Sequence, residues 1–373
     1  MNRQTAYWIA AIFFAVLVLA QFDPRSGFTS LIRFGETWQE RRHPALQGLP
    51  IATVANSGGY DGQFYAQIAL DPLLRGPELE KAIDAPAYRA RRILMPAIAA
   101  VFGLGRPAWI LQAYALLNVL CWFVLGWLLH RQINPGDRLA LARWAGCMFS
   151  LGVLDSVRQS LVDLPALLLL ALAADAYTHA RQRPSAIWLA AAGLAKETSL
   201  LGALALHCDP SLRPFPWRRA GLALLAIVLP LALWSVYVQH CFVDAPGSVG
   251  LGNFTWPLLG ALAQAKDSLH EILLGNSDSR YTFSLLAMAG FVTQAWVTWS
   301  SPQRASPWGR IGVAYSLLLL ILSPWVWSGY WAACRAVLPM TIAFNLLLPT
   351  NRTFWPLWIA GNLTMLHAVW RFL

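Results

Sequence analysis

An aspartate set among glycines and aromatic residues is the first feature of this chain that could do chemistry: GGYDGQFYAQIALDP, running from Gly58 to Pro72. A carboxylate within hydrogen-bond reach of a hydroxyl can take its proton as a general base. The glycines permit a tight chain reversal, Asp61 falls where a helix can begin, and the Asp71-Pro72 step ends it. The same aspartate also fits a helix cap that accepts backbone N–H bonds. The two roles are compatible, since a carboxylate held by its own helix is preorganised.

Farther along, AYRARRILMP places Arg89, Arg91 and Arg92 after Tyr88, with no acidic residue between 85 and 136. Guanidinium forks suit phosphate oxygens, and on a helix Arg89 and Arg92 would share a face at i, i+3. Anchoring to lipid headgroups would use the same residues. LDSVRQSLVDLP gathers Asp155, Arg158 and Asp163 around one short turn. Asp163 reads there either as a helix-start acid paired with Arg158 or as a ligand-binding carboxylate. AGLAKETSLL sets Lys196 and Glu197 inside an apolar run. Charge within hydrocarbon costs ~3 kcal/mol or more, so such residues mark a site or a structural ion pair. Arg335, in SGYWAACRAVLP, either faces the same cavity or snorkels to the interface.

Other chemistries leave no mark. The histidines form no HExxH pair and the five cysteines no CxxC, which argues against a structural zinc site. GxSxG, P-loop and dinucleotide fingerprints are missing, against hydrolases of those types and ATP-driven pumps.

The elements that must position these residues follow from composition. Of 373 residues, 57% are hydrophobic and only 12% charged, and mean hydropathy is +0.48. Soluble domains carry about a quarter charged residues, so the chain reads as an all-α, polytopic membrane protein. The net charge of +10 comes from arginines scattered among apolar segments and is better explained by topology than by nucleic acid. Apolar runs at 7–22, 107–129, 139–154, 161–179, 220–241, 281–300, 310–327, 332–349 and 354–371 predict about nine spans. The first, after Arg3, is read as an uncleaved span rather than a signal peptide. The segment 185–207 is flanked by arginines at both ends, which predicts a re-entrant helical pair with its tip near mid-membrane at Lys196 and Glu197; ten or eleven spans is the alternative. With the N-terminus inside, the inner loops collect Arg131, Arg138, Arg143, Arg181, Arg183, Arg213, Arg218, Arg219, Arg304, Arg310 and Arg352, as the positive-inside rule requires. The segment 23–106 then becomes a long external loop with interfacial helices at 62–70 and 93–104. A second external loop, 242–280, carries an interfacial helix with Trp256, Leu259, Leu262 and Leu269 near its apolar face. Nothing divides residues 1–373 into separate domains.

The Tyr-Asp-Gly-Gln-Phe-Tyr setting, early in a long external loop after the first span, resembles the first-loop acidic motif of the type C (GT-C) polytopic glycosyltransferases. It is most similar to that of bacterial relatives of the GPI-anchor mannosyltransferases. The likeness continues in AYRARRILMP and AGLAKETSLL, covering about the first 210 residues. The resemblance implies transfer of one sugar, a hexose or pentose, from a polyprenyl-phosphate donor to a cell-envelope glycan, lipid or protein acceptor, with inversion. The reaction would lie at the outer face of a bacterial cytoplasmic membrane. It implies Asp61 as catalytic base; Arg89, Arg92, Lys196 and Arg335 as donor-phosphate ligands; and Tyr60, Gln63, Tyr65, Asp163 and Glu197 as the acceptor or sugar side. No metal ligands are assigned, though the family chemistry admits a divalent cation. Two other readings stand beside it: a transporter or flippase of lipid-linked glycans, and a non-catalytic subunit of an envelope-polymer assembly complex in which Asp61 is only a cap.

Overall fold

The computed structural model describes residues 3–134, 136–208, 216–243 and 250–373. Arg213 of the inner arginine set and residues 244–249 of the second long loop lie outside them. The fold is all-α apart from one two-residue parallel pair, Phe34–Gly35 with Thr53–Val54. Helix α1 (Arg3–Leu19) is apolar around most of its circumference. It docks by laying Phe14 flat on Trp122, ring centres 3.7 Å apart.

The long first loop is folded. Helices form at both expected places, as α2 (Gly62–Ile68) and, after the short α3 (Glu78–Ala82) and α4 (Pro86–Ala90), as α5 (Leu94–Phe102). All seven residues of α2 are buried, so it packs inside the protein and does not lie on a membrane surface as expected. The glycines of the acidic motif serve close packing. Gly59 has φ +72°, and a Cβ on it would lie 2.4 Å from the Gly35 nitrogen. A Cβ on Gly62 would lie 2.2 Å from the Gln159 carbonyl oxygen. Any side chain at either place would push the turn carrying Asp61 off its support.

Among the described residues, helix α6 (Pro107–Gln132) is one of two that are long and apolar enough to cross a membrane. Each end carries an arginine over a tryptophan ring: Arg106 on Trp109 at 4.6 Å and Arg131 on Trp127 at 4.8 Å. Such pairs suit membrane–water boundaries. Beyond it, the span expected over 139–154 is broken into α7 (Ala140–Met148) and α8 (Leu151–Arg158). The carbonyls freed at the break are satisfied locally. The Met148 oxygen accepts from the Trp122 indole at 3.0 Å, and the Cys147 oxygen accepts from Ser150 Oγ at 2.9 Å.

Helix α9 (Asp163–Thr178) is buried on nearly every side. Helix α10 (Gln182–Ala195) runs beside it, stops at Lys196 in extended conformation, and is followed by a 3-10 turn (Glu197–Ser199) and α11 (Leu200–His207). The two arms fold back on each other. Leu189 lies 3.2 Å from the Cβ position of Gly202, and Ser185 Oγ lies 3.5 Å from His207 Nε2. The predicted hairpin therefore forms, but its tip is placed differently. Lys196 meets Asp163 at the start of α9 while His207 packs on Tyr177 at its end, so the tip is level with an end of α9 and not with its middle. The reason is length: α10 has 14 residues, ~21 Å at 1.5 Å per residue, nearly matching α9.

Helix α12 (Trp217–Cys241) is the second long apolar helix, with only 11% of its most apolar window buried. Helix α13 (Leu259–Leu273) turns Gly260, Gln264 and Ser268 inward and leaves Leu259, Leu262 and Leu269 exposed. That apolar-outward orientation is the one expected of the interfacial helix, with Trp256 exposed beside it. Then follow α14 (Ser279–Ser300), α15 (Pro307–Leu320), α16 (Pro324–Trp327), α17 (Tyr330–Ala336), α18 (Leu338–Leu347), α19 (Phe354–Gly361) and α20 (Met365–Phe372). Spans expected over 310–327, 332–349 and 354–371 are each interrupted. Pro324 begins α16 and Pro339 falls in the first turn of α18, places where a missing N–H is tolerated. Helices α17 and α18 meet at a 66° bend and count as a third candidate span only if taken together. Nine uninterrupted crossings are therefore not what the helices supply. Exposed apolar faces on α1, α12 and α13 nonetheless mark a membrane protein.

Candidate functional site

One cavity of about 430 Å³ lies at the end of the helices that holds Asp163, Lys196 and the first-loop helices. Its charged lining comes from five segments: Asp61, Asp84 with Arg89 and Arg92, Asp163, Lys196 with Glu197, and Arg335. Tyr60, Tyr65 and Tyr88 complete the polar wall, and Phe254, Leu318, Leu322 and Trp325 form an apolar side.

Asp61 sits at the start of α2 with helical φ and ψ, and its side chain makes no capping bond. The carboxylate turns to Arg89 instead: Nη2 donates to Oδ1 at 2.9 Å. Among the described residues Oδ2 has no hydrogen-bond donor, and 32% of the side-chain surface remains exposed. Burial pushes the Asp61 carboxyl up, but the positive charges of Arg89 and, behind it, Arg335 and Arg92 outweigh this and hold it below the ordinary carboxylate range. It is therefore an anion with one reachable oxygen.

Arg89 is fixed from the other side by Asp84, which accepts from Nε at 2.9 Å and from Nη2 at 2.8 Å. The rings of Phe64 and Tyr65 lie under the guanidinium, 5.3 and 5.6 Å from it. Arg92 is differently employed. Its Nε and Nη2 donate to Glu197 at 2.9 and 2.6 Å, Nη1 donates to the Tyr65 hydroxyl at 2.7 Å, and Nη2 donates also to the Tyr88 hydroxyl at 2.6 Å. Both edges of this fork are taken by protein acceptors. Arg92 thus ties the first loop to the hairpin tip, and the i, i+3 pairing of two free forks is not what the chain builds, because α4 ends at Ala90.

Lys196 donates to Asp163 Oδ1 at 2.5 Å, leaving two of its three N–H bonds for other acceptors. Arg335 donates from Nη2 to the Tyr60 hydroxyl at 2.7 Å and from Nη1 to Asp163 Oδ2 at 3.4 Å, with Asp155 3.5 Å behind its Nε. Asp163 therefore pairs with Lys196 and Arg335. Its expected partner Arg158 donates instead to the Phe372 and Ser30 carbonyls.

No family model matches the chain, and neither does any curated protein or solved structure. The geometry alone must carry the reading. Of the ten residues singled out in the sequence, Tyr60, Asp61, Tyr65, Arg89, Arg92, Asp163, Lys196, Glu197 and Arg335 line this one cavity. Gln63 does not. It is fully buried, accepting from the Gly35 N–H at 3.0 Å and donating to the Gly58 carbonyl at 2.6 Å, so it braces the glycine turn.

Three residues were missed. Asp84 stands immediately before the acid-free interval that made the arginines conspicuous; Tyr88 was noted only as a neighbour; and Asn253, which donates to the Tyr88 hydroxyl at 3.3 Å, carries no local signal. Among the described residues no group of three or more His, Cys, Asp or Glu side chains is placed to hold a metal ion.

Proposed function

We propose that this chain is a membrane glycosyltransferase of the type C kind, moving a sugar from a polyprenyl-phosphate donor to a cell-envelope acceptor at the outer face of a bacterial cytoplasmic membrane. The observation that carries the reading is Asp61 Oδ2, a reachable carboxylate oxygen in a cavity that also holds Arg89, Lys196 and Arg335. In the proposed step, an acceptor hydroxyl attacks the anomeric carbon and its proton passes to Oδ2. The bond from that carbon to the phosphate oxygen breaks, and its electron pair leaves with the polyprenyl phosphate. Direct displacement with inversion needs one base, unlike the two close carboxylates of a retaining enzyme. Lys196 has spare donors for the leaving phosphate, and the wall of Phe254, Leu318, Leu322 and Trp325 suits the first prenyl units.

The test is release of free polyprenyl phosphate by the purified protein from a panel of lipid-linked sugars offered with envelope acceptor extracts. No release from any donor would end the reading.

One observation favours the transporter alternative. Transporters bring the ends of discontinuous helices to a shared binding site. Here two interrupted elements, the α10–α11 hairpin at Lys196 and the bend after α17 near Arg335, meet across Asp163. Movement of an intact lipid-linked sugar between leaflets of reconstituted vesicles, without cleavage, would select that alternative.

A further inference from the structure

Asp61 and Asp84 share a single guanidinium in an unequal way. Asp84 takes Arg89 along its Nε–Nη2 edge with both oxygens, at 2.9 and 2.8 Å. Of the protons this leaves, one on Nη2 reaches Asp61 Oδ1 at 2.9 Å. Nη1 is without a hydrogen-bond acceptor among the described residues. The fork is thereby turned edge-on to Asp84 and corner-on to Asp61. An arginine facing one carboxylate prefers two parallel bonds, one to each oxygen. At Asp61 only one such bond forms, while Asp84 holds the two-bond arrangement.

We infer that Asp84 is the positioning residue of this site: by chelating Arg89 it keeps the guanidinium from closing over both oxygens of Asp61, so that Oδ2 stays open to a ligand hydroxyl and Nη1 to an anion. The inference rests on the base role proposed for Asp61, but the arrangement itself can be tested without turnover. Three features of the site bear on it. Asp84 arrives from the residue two before Pro86, ahead of α4, and Arg89 from within α4, so their separation is set by one rigid turn. The rings of Phe64, Tyr65 and Tyr88 surround the guanidinium at 5.3 to 5.6 Å and leave it little room to swing away from Asp61. A small turn of the guanidinium would then carry its free Nη1–Nη2 edge onto Asp61 once Asp84 is gone.

The groups facing Asp61 are Arg89 and Arg92 from the α4 segment, Arg335 from α17, Asp84, and the hydroxyls of Tyr60, Tyr65 and Tyr114. Removing Asp84 deletes a neighbouring negative charge and frees the fork, and both changes favour ionised Asp61. A field effect alone would move the titration and leave the carboxylate's bonding pattern unchanged. Collapse of the fork would also make the two C–O bonds more alike.

The experiment is infrared difference spectroscopy of the full-length protein in nanodiscs across a pH titration, with Asp61→Asn identifying the Asp61 bands. In Asp84→Ala the expected result is a titration midpoint lower by about one unit, the scale of an added cationic contact, together with a narrower separation of the antisymmetric and symmetric carboxylate stretches. An unchanged separation overturns the inference, whether or not the midpoint moves. Asp84→Leu, which is close to Asp in shape and offers no acceptor to Arg89, takes the place of the alanine variant if that one does not fold, with the same two criteria. Transfer assays on the same samples report separately: loss of at least ~10-fold in kcat is expected if Asp61 acts as a base. A narrowed separation with no transfer by wild type would leave the positioning intact and refute the base role.

Discussion

Ser185 and His207, 22 residues apart in sequence, stand side by side: Oγ and Nε2 are 3.5 Å apart at the open end of the α10–α11 hairpin. An uninterrupted helix between them would separate them by ~33 Å at 1.5 Å per residue. The chain thus leaves this hairpin on the side from which it entered. If the segment lies in a bilayer, cysteines at position 183 and at the native Cys208, each placed singly in a background otherwise free of cysteine, should react with an impermeant reagent from the same side. Reaction from opposite sides would contradict the hairpin and invert the orientation of every later loop.

Asp61→Asn should fold and lose transfer. The reason is not capping, since the Asp61 side chain makes no capping bond. An asparagine oxygen can still accept from Arg89 Nη2, whereas the amide cannot take a proton. Loss on the order of 100- to 10,000-fold in kcat is expected. Near-normal turnover in a folded variant would remove Asp61 from the chemistry.

The same residue gives a pH prediction. Its carboxyl is held below the ordinary range by Arg89, Arg335 and Arg92 against the opposing effect of burial. A group with a depressed folded pKa contributes stability that is present above its unfolded pKa, ~3.9, and is lost as pH falls through the folded value. Wild type should therefore lose unfolding temperature on acidification below about pH 4 more steeply than Asp61→Asn. Parallel curves for the two proteins in that window would show that the pair with Arg89 contributes nothing.

Arg92→Ala should damage assembly more than donor affinity. Its fork bridges Tyr65 and Tyr88 of the first loop to Glu197 on the hairpin tip. Glu197 is a third exposed, so the pair is worth less than a fully buried one. A fall in unfolding temperature is still expected, with Glu197→Gln falling in parallel and the double variant less than additive. Full thermal stability together with a raised donor KM would instead return Arg92 to the role of phosphate ligand.

Gly62→Ala tests the turn beneath the base. The added methyl would meet the Gln159 carbonyl at 2.2 Å and the Ile32 carbonyl at 2.9 Å. Overpacking of this kind typically costs ~1–3 kcal/mol, and here the strain displaces the residue next to Asp61. Activity should fall further than stability accounts for. Unchanged kcat would mean that the turn has slack.

Much of the site was legible because its residues break the local rules of their segments. Lys196 and Glu197 in an apolar run, and an arginine cluster without acids, conflict with the surrounding composition. Such conflict needs a tertiary partner, and Arg89, Arg92, Lys196 and Glu197 each have one. Which partner was not legible: Lys196 meets Asp163 and Glu197 meets Arg92, pairings that depend on how α9, the hairpin and the first loop stack. Asp61 as a cap was a sound local reading that a long-range ion pair overrode. Gln63 looked like a ligand because it adjoins Asp61, but α2 points the two side chains apart. The helix breaks at Phe149 and Val337 escaped the hydropathy pattern because apolar residues run through them; at Phe149 the freed carbonyls of Met148 and Cys147 are met by Trp122 and Ser150.

The arginine–tryptophan pairs at the two ends of α6 set a length. Trp109 and Trp127 are ~27 Å apart along the helix, a little short of a ~30 Å hydrocarbon layer. Tyr114 and Asn118, near the first pair, donate to the carbonyls of Ser160 and Leu161, the turn that leads into Asp163. A thicker bilayer would have to thin around the helix or pull its flanking arginines outward, and a thinner one would tilt it. A tilt of α6 would bear on those two hydrogen bonds, and so on the carboxylate that holds Lys196 and Arg335. Acyl-chain length is then a variable to control beside pH and salt in any assay of the site.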